Sequence, residues 1–95
     1  MSLTVFITGA TSGIGKATAE FLAQHNYRLI LCGRKEDQLK DLEQTLGMLT
    51  DVVTLKFDVR NKEAVFTAIN ALPENFKNID VLINNAGNAH GLSFI

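Results

Sequence analysis

Thr4-Val5-Phe6-Ile7 runs directly into Thr8-Gly9-Ala10-Thr11-Ser12-Gly13-Ile14-Gly15, and this stretch decides how the chain folds. Val5-Phe6-Ile7 is too continuously apolar for a strand with one wet face and suits a parallel strand covered on both sides. The glycines that follow let the backbone turn sharply, approach a ligand closely and pack a helix tightly on the strand. From Ser12 to about Gln24 the apolar residues Ile14, Ala17, Phe21 and Leu22 recur at helical spacing. The first turn of that helix presents free N–H groups and the positive end of the helix dipole, which suits a phosphate. Strand, glycine turn and helix in this order read as the start of a dinucleotide-binding unit, with the spacing Gly9-x-x-x-Gly13-x-Gly15.

Working outward, Leu29-Ile30-Leu31-Cys32 is a second apolar run that ends at Gly33-Arg34. Leu39, Leu42 and Leu46 mark one face of a second helix, with Gly47 as its C-terminal stop. Val52 to Phe57 is β-branched and reads as a third strand, closed by Asp58-Val59. Asn61 is placed to cap a third helix with the stripe Val65, Ile69 and Leu72, and Pro73 ends it. Val81-Leu82-Ile83 is a fourth short strand, followed by Asn84-Asn85-Ala86-Gly87. This alternation predicts an α/β fold, a Rossmann-like doubly wound parallel sheet, and right-handed crossovers together with the nucleotide-binding precedent give the strand order 3-2-1-4. The first two helices cover one face and the third crosses to the other. The crevice then lies at the carboxyl ends of the strands, where Gly9 to Gly15, Arg34, Asp58 and Asn85 converge.

Length and composition narrow the function classes. The 95 residues make one domain, residues 1–95, and 46% hydrophobic with 20% charged residues is ordinary for a globular chain. A net charge of -1 with mixed signs gives no basic surface for nucleic acid or an anionic membrane. No apolar stretch approaches the roughly 20 residues of a membrane span. Cys32 is the single cysteine, so no internal disulfide forms, and its place in an apolar run reads as a small buried hydrophobe. The N-terminus lacks a charged region or cleavage site before its first strand, which points to the cytoplasm. His25 and His90 have no partner at metal-ligand spacing, and neither receives a role.

With those places located, the chain resembles the N-terminal half of a short-chain dehydrogenase/reductase, from about Thr4 to Gly91. The resemblance rests on Thr8-Gly9-x-x-x-Gly13-Ile14-Gly15, Asp58-Val59 and Asn84-Asn85-Ala86-Gly87. A closer likeness is to the NADP-dependent 3-hydroxy acid dehydrogenases that also oxidise serine. It is carried by Gly33-Arg34-Lys35, Leu39, Phe57-Asp58-Val59-Arg60-Asn61, Leu72-Pro73 and Asn78-Ile79-Asp80-Val81-Leu82.

The resemblance implies residue roles. The backbone of Gly9, Gly13, Ile14 and Gly15, with the hydroxyls of Thr11 and Ser12, cradles the pyrophosphate, and the Ile14 side chain packs inward. Asp58 accepts a hydrogen bond from the adenine amino group beside the Val59 backbone, or is simply a turn aspartate. Asn85, Ala86 and Gly87 line the cofactor ribose, while Asn84 braces the neighbouring strands; the alternative is a plain strand-ending turn.

Arg34 decides the cofactor. An acidic residue at the end of the second strand accepts from the ribose 2′-hydroxyl of NAD. Here stand Arg34 and Lys35, and a guanidinium pairs with a 2′-phosphate that a carboxylate would repel. The expected cofactor is therefore NADP(H), with NAD the alternative. A solvated basic pair opening a helix is the competing reading, disfavoured because cations there oppose the helix dipole. NADP-preferring relatives often carry a second basic residue just before the middle glycine, where this chain has Ser12.

In this family the hydride-transfer step uses a tyrosine, a lysine four residues later and a serine. The only tyrosine is Tyr27, and Leu31 stands four residues on. The serines Ser2, Ser12 and Ser93 have no tyrosine-lysine partner. The expectation is that this chain lacks catalytic residues and represents the cofactor half of an oxidoreductase acting on a small hydroxy or carbonyl substrate. The alternatives are a non-catalytic nucleotide-binding module and an inactive truncated product. A fourth strand left at a bare sheet edge further predicts a homo-oligomer.

Overall fold

Every residue of the first strand, β1 (Thr4–Thr8), is buried in the computed structural model, which describes residues 2–58 and 60–85. The other elements are α1 (Gly13–Gln24), β2 (Arg28–Gly33), α2 (Glu36–Leu46), β3 (Val52–Lys56), α3 (Lys62–Asn70), a 3-10 turn at Glu74–Phe76 and β4 (Val81–Asn84). The four strands form one parallel sheet in the order β3-β2-β1-β4, as the β/α alternation predicts.

Period-two alternation divides the buried residues between the two sheet faces. Val5, Ile7, Leu29 and Leu31 pack with Ala19 and Ala23 of α1 and with Leu39, Leu42 and Leu46 of α2. Phe6, Ile30 and Cys32 face the other way and pack with Phe57, Val65, Leu72 and Phe76. Each fully buried Leu, Ile or Phe contributes roughly 1.5–3 kcal/mol, an upper estimate because the unfolded chain is already partly collapsed. The first two helices thus cover one face and α3 crosses to the other.

The helix ends follow the chemistry of their residues. Asn61 caps α3, its side-chain oxygen accepting from the Ala64 N–H at 3.1 Å. Gly47 is the C-cap of α2, with right-handed rather than left-handed backbone angles.

The buried stripe of α1 differs from the hydrophobic spacing. Gly15, Ala19 and Ala23 face the core, whereas Ile14 is 77% and Phe21 59% exposed; Leu22 lies partly buried against the core. The glycine turn brings the start of α1 so near the Gly9 carbonyl that no β-carbon fits at residue 15. The expected inward packing of Ile14 is therefore corrected: one position before the stripe is about 100° round the helix from it.

β4 is fastened to β1 at both ends. The Thr4 N–H donates to Asp80 Oδ2 at 2.8 Å, and the Asp80 N–H donates to the Thr4 carbonyl at 2.9 Å. At the opposite end the Thr8 hydroxyl donates to Asn84 Oδ1 at 2.9 Å and accepts from the Asn85 N–H at 2.9 Å. These bonds set the register that carries Asn84 and Asn85 to the carboxyl end of β1. Asn84 does brace the neighbouring strands.

Candidate functional site

The sheet order reverses beside β1, and there the ends of all four strands meet. At the end of β1, Gly9 turns the chain with φ 62° and the Ala10 N–H donates to the Cys32 carbonyl at 3.0 Å. The turn is thereby anchored to β2, with the Thr11 side chain against Gly33, where an added β-carbon would stand 3.4 Å from both its methyl and its hydroxyl.

Gly13 opens α1 with φ 44°, a left-handed value that suits glycine, and a β-carbon there would meet nothing within 4 Å. Its outer side faces open space. Ser12 is the N-cap residue, yet its side chain makes no cap hydrogen bond. The leading N–H groups of a helix have no intrahelical acceptor, so the uncapped start of α1 beside an open glycine suits an anion. Gly15 is the tight contact: its added β-carbon would overlap the Gly9 carbonyl oxygen and stand 2.9 Å from Asn85 Nδ2.

At the end of β2, Arg34 and Lys35 are exposed, and Lys35 is the N-cap of α2. Glu36 and Asp37 occupy the first turn of α2, where negative charge suits the dipole. Glu36 draws in Lys40 and Lys56, each at 3.8 Å. Arg34 takes no part in the ion pairs within 4 Å among the described residues.

β3 delivers Asp58 beside Arg34, because the Phe57 N–H donates to the Gly33 carbonyl at 3.0 Å. The Asp58 carboxylate is held by Arg60 through a fork: Nη2 to Oδ2 at 2.7 Å and Nε to Oδ1 at 3.1 Å. The Arg60 backbone N–H adds a bond to Oδ1 at 3.0 Å. The Arg60 side chain and its N–H together hold the Asp58 carboxyl well below the usual carboxylate range, and the charge of Arg34 adds a smaller effect in the same direction. Beside this pair Asp58, Arg60, Asn61, Lys62 and Glu63 line a shallow depression that is widely open to solvent.

At the end of β4, the side-chain nitrogen Nδ2 of Asn85 is buried next to Gly15, with no hydrogen-bond partner among the described residues. A buried amide N–H left unpaired costs roughly 1–3 kcal/mol.

The structure thus brings together Gly9, Thr11, Ser12, Gly13, Ile14, Gly15, Arg34, Lys35, Asp58 and Asn85 at one end of the sheet. Val59, Ala86 and Gly87 lie outside the described residues, as does His90. Arg60 received no role from the sequence; its signals were its place two residues after Asp58 and in the Phe57–Asn61 stretch that carries the closer likeness. Tyr27 precedes β2, at the opposite end of the sheet from the glycine turn. His25 stacks on Phe21 with ring centroids 4.4 Å apart, and no group of three or more metal-ligating side chains occurs among the described residues.

A parallel sheet that reverses order beside a glycine turn, with an uncapped helix start above it, defines a Rossmann-type dinucleotide-binding unit. The chain belongs to the short chain dehydrogenase family, whose pattern it matches over residues 3–94. It is 46% identical over 87 residues to sulfoacetaldehyde reductase 2 of Chromohalobacter salexigens, covering 92% of this chain and 34% of that protein. It is 40% identical over 88 residues to the NADP-dependent 3-hydroxy acid dehydrogenase YdfG of Salmonella typhi, covering 93% and 35%. The closed form of serine dehydrogenase complexed with NADP+ superposes with a TM-score of 0.75 at 34% identity, covering 84% of this chain and 32% of that one. The chain therefore spans about a third of the length of the relatives it matches. Among the described residues no helix is long and apolar enough to cross a membrane.

Proposed function

We propose that the chain is the cofactor-holding part of an NADP(H)-dependent oxidoreductase. Arg34 carries the reading: it is a guanidinium outside every ion pair among the described residues, at the strand end where an NAD-binding protein places a carboxylate. The 2′-phosphate of NADP fits that cation, with Lys35 beside it. The uncapped start of α1 and the open side of Gly13 fit the remaining acceptors of a dinucleotide.

The bound nicotinamide would supply or accept the hydride. This chain's own residues bind and orient. The N–H groups at Gly13 and Ile14, with Thr11 and Ser12, hold the pyrophosphate. Asp58 accepts from the adenine amino group with Val59 beside it. Asn85, Ala86 and Gly87 position the ribose. Among the described residues the proton step of the reaction has no candidate, since Tyr27 lies at the far end of the sheet. The chain by itself is therefore expected to bind without turnover, as a nucleotide-binding module would.

The substrate we propose is a small hydroxy or carbonyl compound, with a 3-hydroxy acid foremost, from the likeness to YdfG. We further propose association of copies through the β4 edge, where Val81 and Leu82 are 39% and 36% exposed. A cytoplasmic setting fits the lone, buried Cys32 thiol.

Titration of the chain with NADPH and NADH, followed by nucleotide fluorescence or calorimetry, tests the reading. Saturable binding that favours NADPH is expected. Equal affinity for the two would remove the role of Arg34, and binding of neither would remove the site.

A further inference from the structure

Arg34 and Asp58 leave adjacent strand ends side by side, because the Phe57 N–H is bonded to the Gly33 carbonyl. Opposite charges so placed would ordinarily pair. A guanidinium engaged by a carboxylate is a poorer clamp for phosphate, since its N–H fork is already occupied. Yet the ion pair at this corner is Asp58 with Arg60, and Arg34 is left outside it. Arg60 gives Nη2 to Oδ2 at 2.7 Å, Nε to both oxygens at 3.1 and 3.2 Å, and its backbone N–H to Oδ1 at 3.0 Å. The three donors of Arg60 occupy most of the roughly four lone-pair sites of the two carboxylate oxygens, leaving room for a single further N–H, such as that of an adenine amino group, but not for the fork of a second guanidinium.

We propose that Arg60 is a positioning residue for 2′-phosphate selectivity, acting through Asp58: by occupying the carboxylate it keeps Arg34 free for the phosphate and cancels the negative charge the phosphate would otherwise meet. The inference rests on the reading of Arg34 as the 2′-phosphate clamp and goes beyond it by making that clamp depend on a residue at the start of α3. Without Arg60, Asp58 becomes both a competitor for Arg34 and an uncompensated anion beside the phosphate.

The test uses two probes that report only on the adenosine end, adenosine 2′,5′-bisphosphate and adenosine 5′-monophosphate, titrated against the whole chain. The readout is the ratio of their affinities, in which any general loss of adenine binding cancels. In Arg60→Met the ratio is expected to fall about two- to fivefold, the scale of one exposed charge pair. Adding Asp58→Asn to Arg60→Met removes the competing carboxylate, and the ratio is expected to return to the wild-type value. Asp58→Asn alone should leave the ratio at or above wild type.

An unchanged ratio in Arg60→Met overturns the proposal, as does a fall that Asp58→Asn does not reverse, which would place Arg60 against the phosphate itself. A wild-type chain that binds the two probes equally, or neither, shows the reading of Arg34 to be wrong before any substitution is made, and the proposal falls with it. Since the Arg60 side chain is 65% exposed, Arg60→Met leaves the core untouched.

Discussion

Gly15 sits directly against the carbonyl oxygen of Gly9, so closely that a β-carbon on residue 15 would overlap that oxygen and also press on Asn85 Nδ2. The first helix, the first strand and the end of the fourth strand are thus locked at one point by a missing side chain. Gly13, two residues earlier, has open space where its β-carbon would be, but a left-handed backbone.

These two glycines should separate packing from backbone strain. Gly15→Ala must push apart backbone that cannot yield, at a cost of about 2 kcal/mol or more. In a domain of this size the melting temperature should then fall by roughly 10 °C or more. Gly13→Ala carries only the left-handed penalty of about 1 kcal/mol. Thermal melts of the two variants should rank them in that order; the reverse order would mean that the Gly9–Gly15 contact relaxes easily.

Thr8→Val keeps the shape of the side chain but removes the hydroxyl that joins Asn84 and Asn85 to β1. It leaves the Asn84 side-chain oxygen and the Asn85 N–H without that partner, for a loss of roughly 1–3 kcal/mol. Amide exchange should show the largest drop in protection at Asn85 and along β4, read against an unfolding titration in urea.

Reversing the charge at the end of β2 should move the cofactor preference. Arg34→Asp replaces a phosphate partner by a carboxylate that accepts from a ribose hydroxyl. The ratio of NADPH to NADH affinity should drop at least about tenfold, equivalent to about 1.4 kcal/mol. Unchanged selectivity by calorimetry would refute the assignment.

The Asp58–Arg60 pair gives stability a defined pH dependence. The folded-state carboxyl titrates below the ordinary value of about 3.9. The pair's contribution is therefore fully present above that value and is lost as pH falls through the lower, folded-state value. The stability difference between wild type and Asp58→Asn should be flat from about pH 5 upward and should shrink below about pH 4. Urea titrations at stepped pH would show it, and a difference that grows on acidification would mean the pair has the opposite sign.

Cys32 should behave as an inert thiol. It is fully buried, and burial pushes its pKa well up, away from the thiolate that reacts. An aromatic disulfide reagent should label the native chain only as fast as it opens, and the urea-unfolded chain at once.

Much of this molecule is legible in the residue order. Continuous runs such as Val5-Phe6-Ile7 and Leu29-Ile30-Leu31-Cys32 declare strands covered on both faces, and the leucines 39, 42 and 46 declare the inner face of α2. Asn61 declares its own cap. From these follow the β/α alternation and the parallel sheet; handed connections and the nucleotide-binding precedent add its 3-2-1-4 order and the convergence of the glycine turn, Arg34, Asp58 and Asn85 at one sheet end. These are matters of hydrophobic period, backbone chemistry and handed connections, all written locally along the chain.

Distances between segments had to come from the tertiary structure. Hydrophobicity favours Ile14 and Phe21 for the inner face of α1, but the close approach to the Gly9 carbonyl leaves no room for a β-carbon at residue 15, and the face that carries Gly15, Ala19 and Ala23 is buried instead. A pattern of apolar residues records what prefers to leave water; it does not record how much room a neighbouring strand leaves. The partner of Asp58 was hidden in the same way. Arg34, Lys35 and Arg60 are all cations near it in the sequence or the fold, and only the folded geometry shows that Arg60 takes the carboxylate while Arg34 stays outside the ion pairs of the described residues.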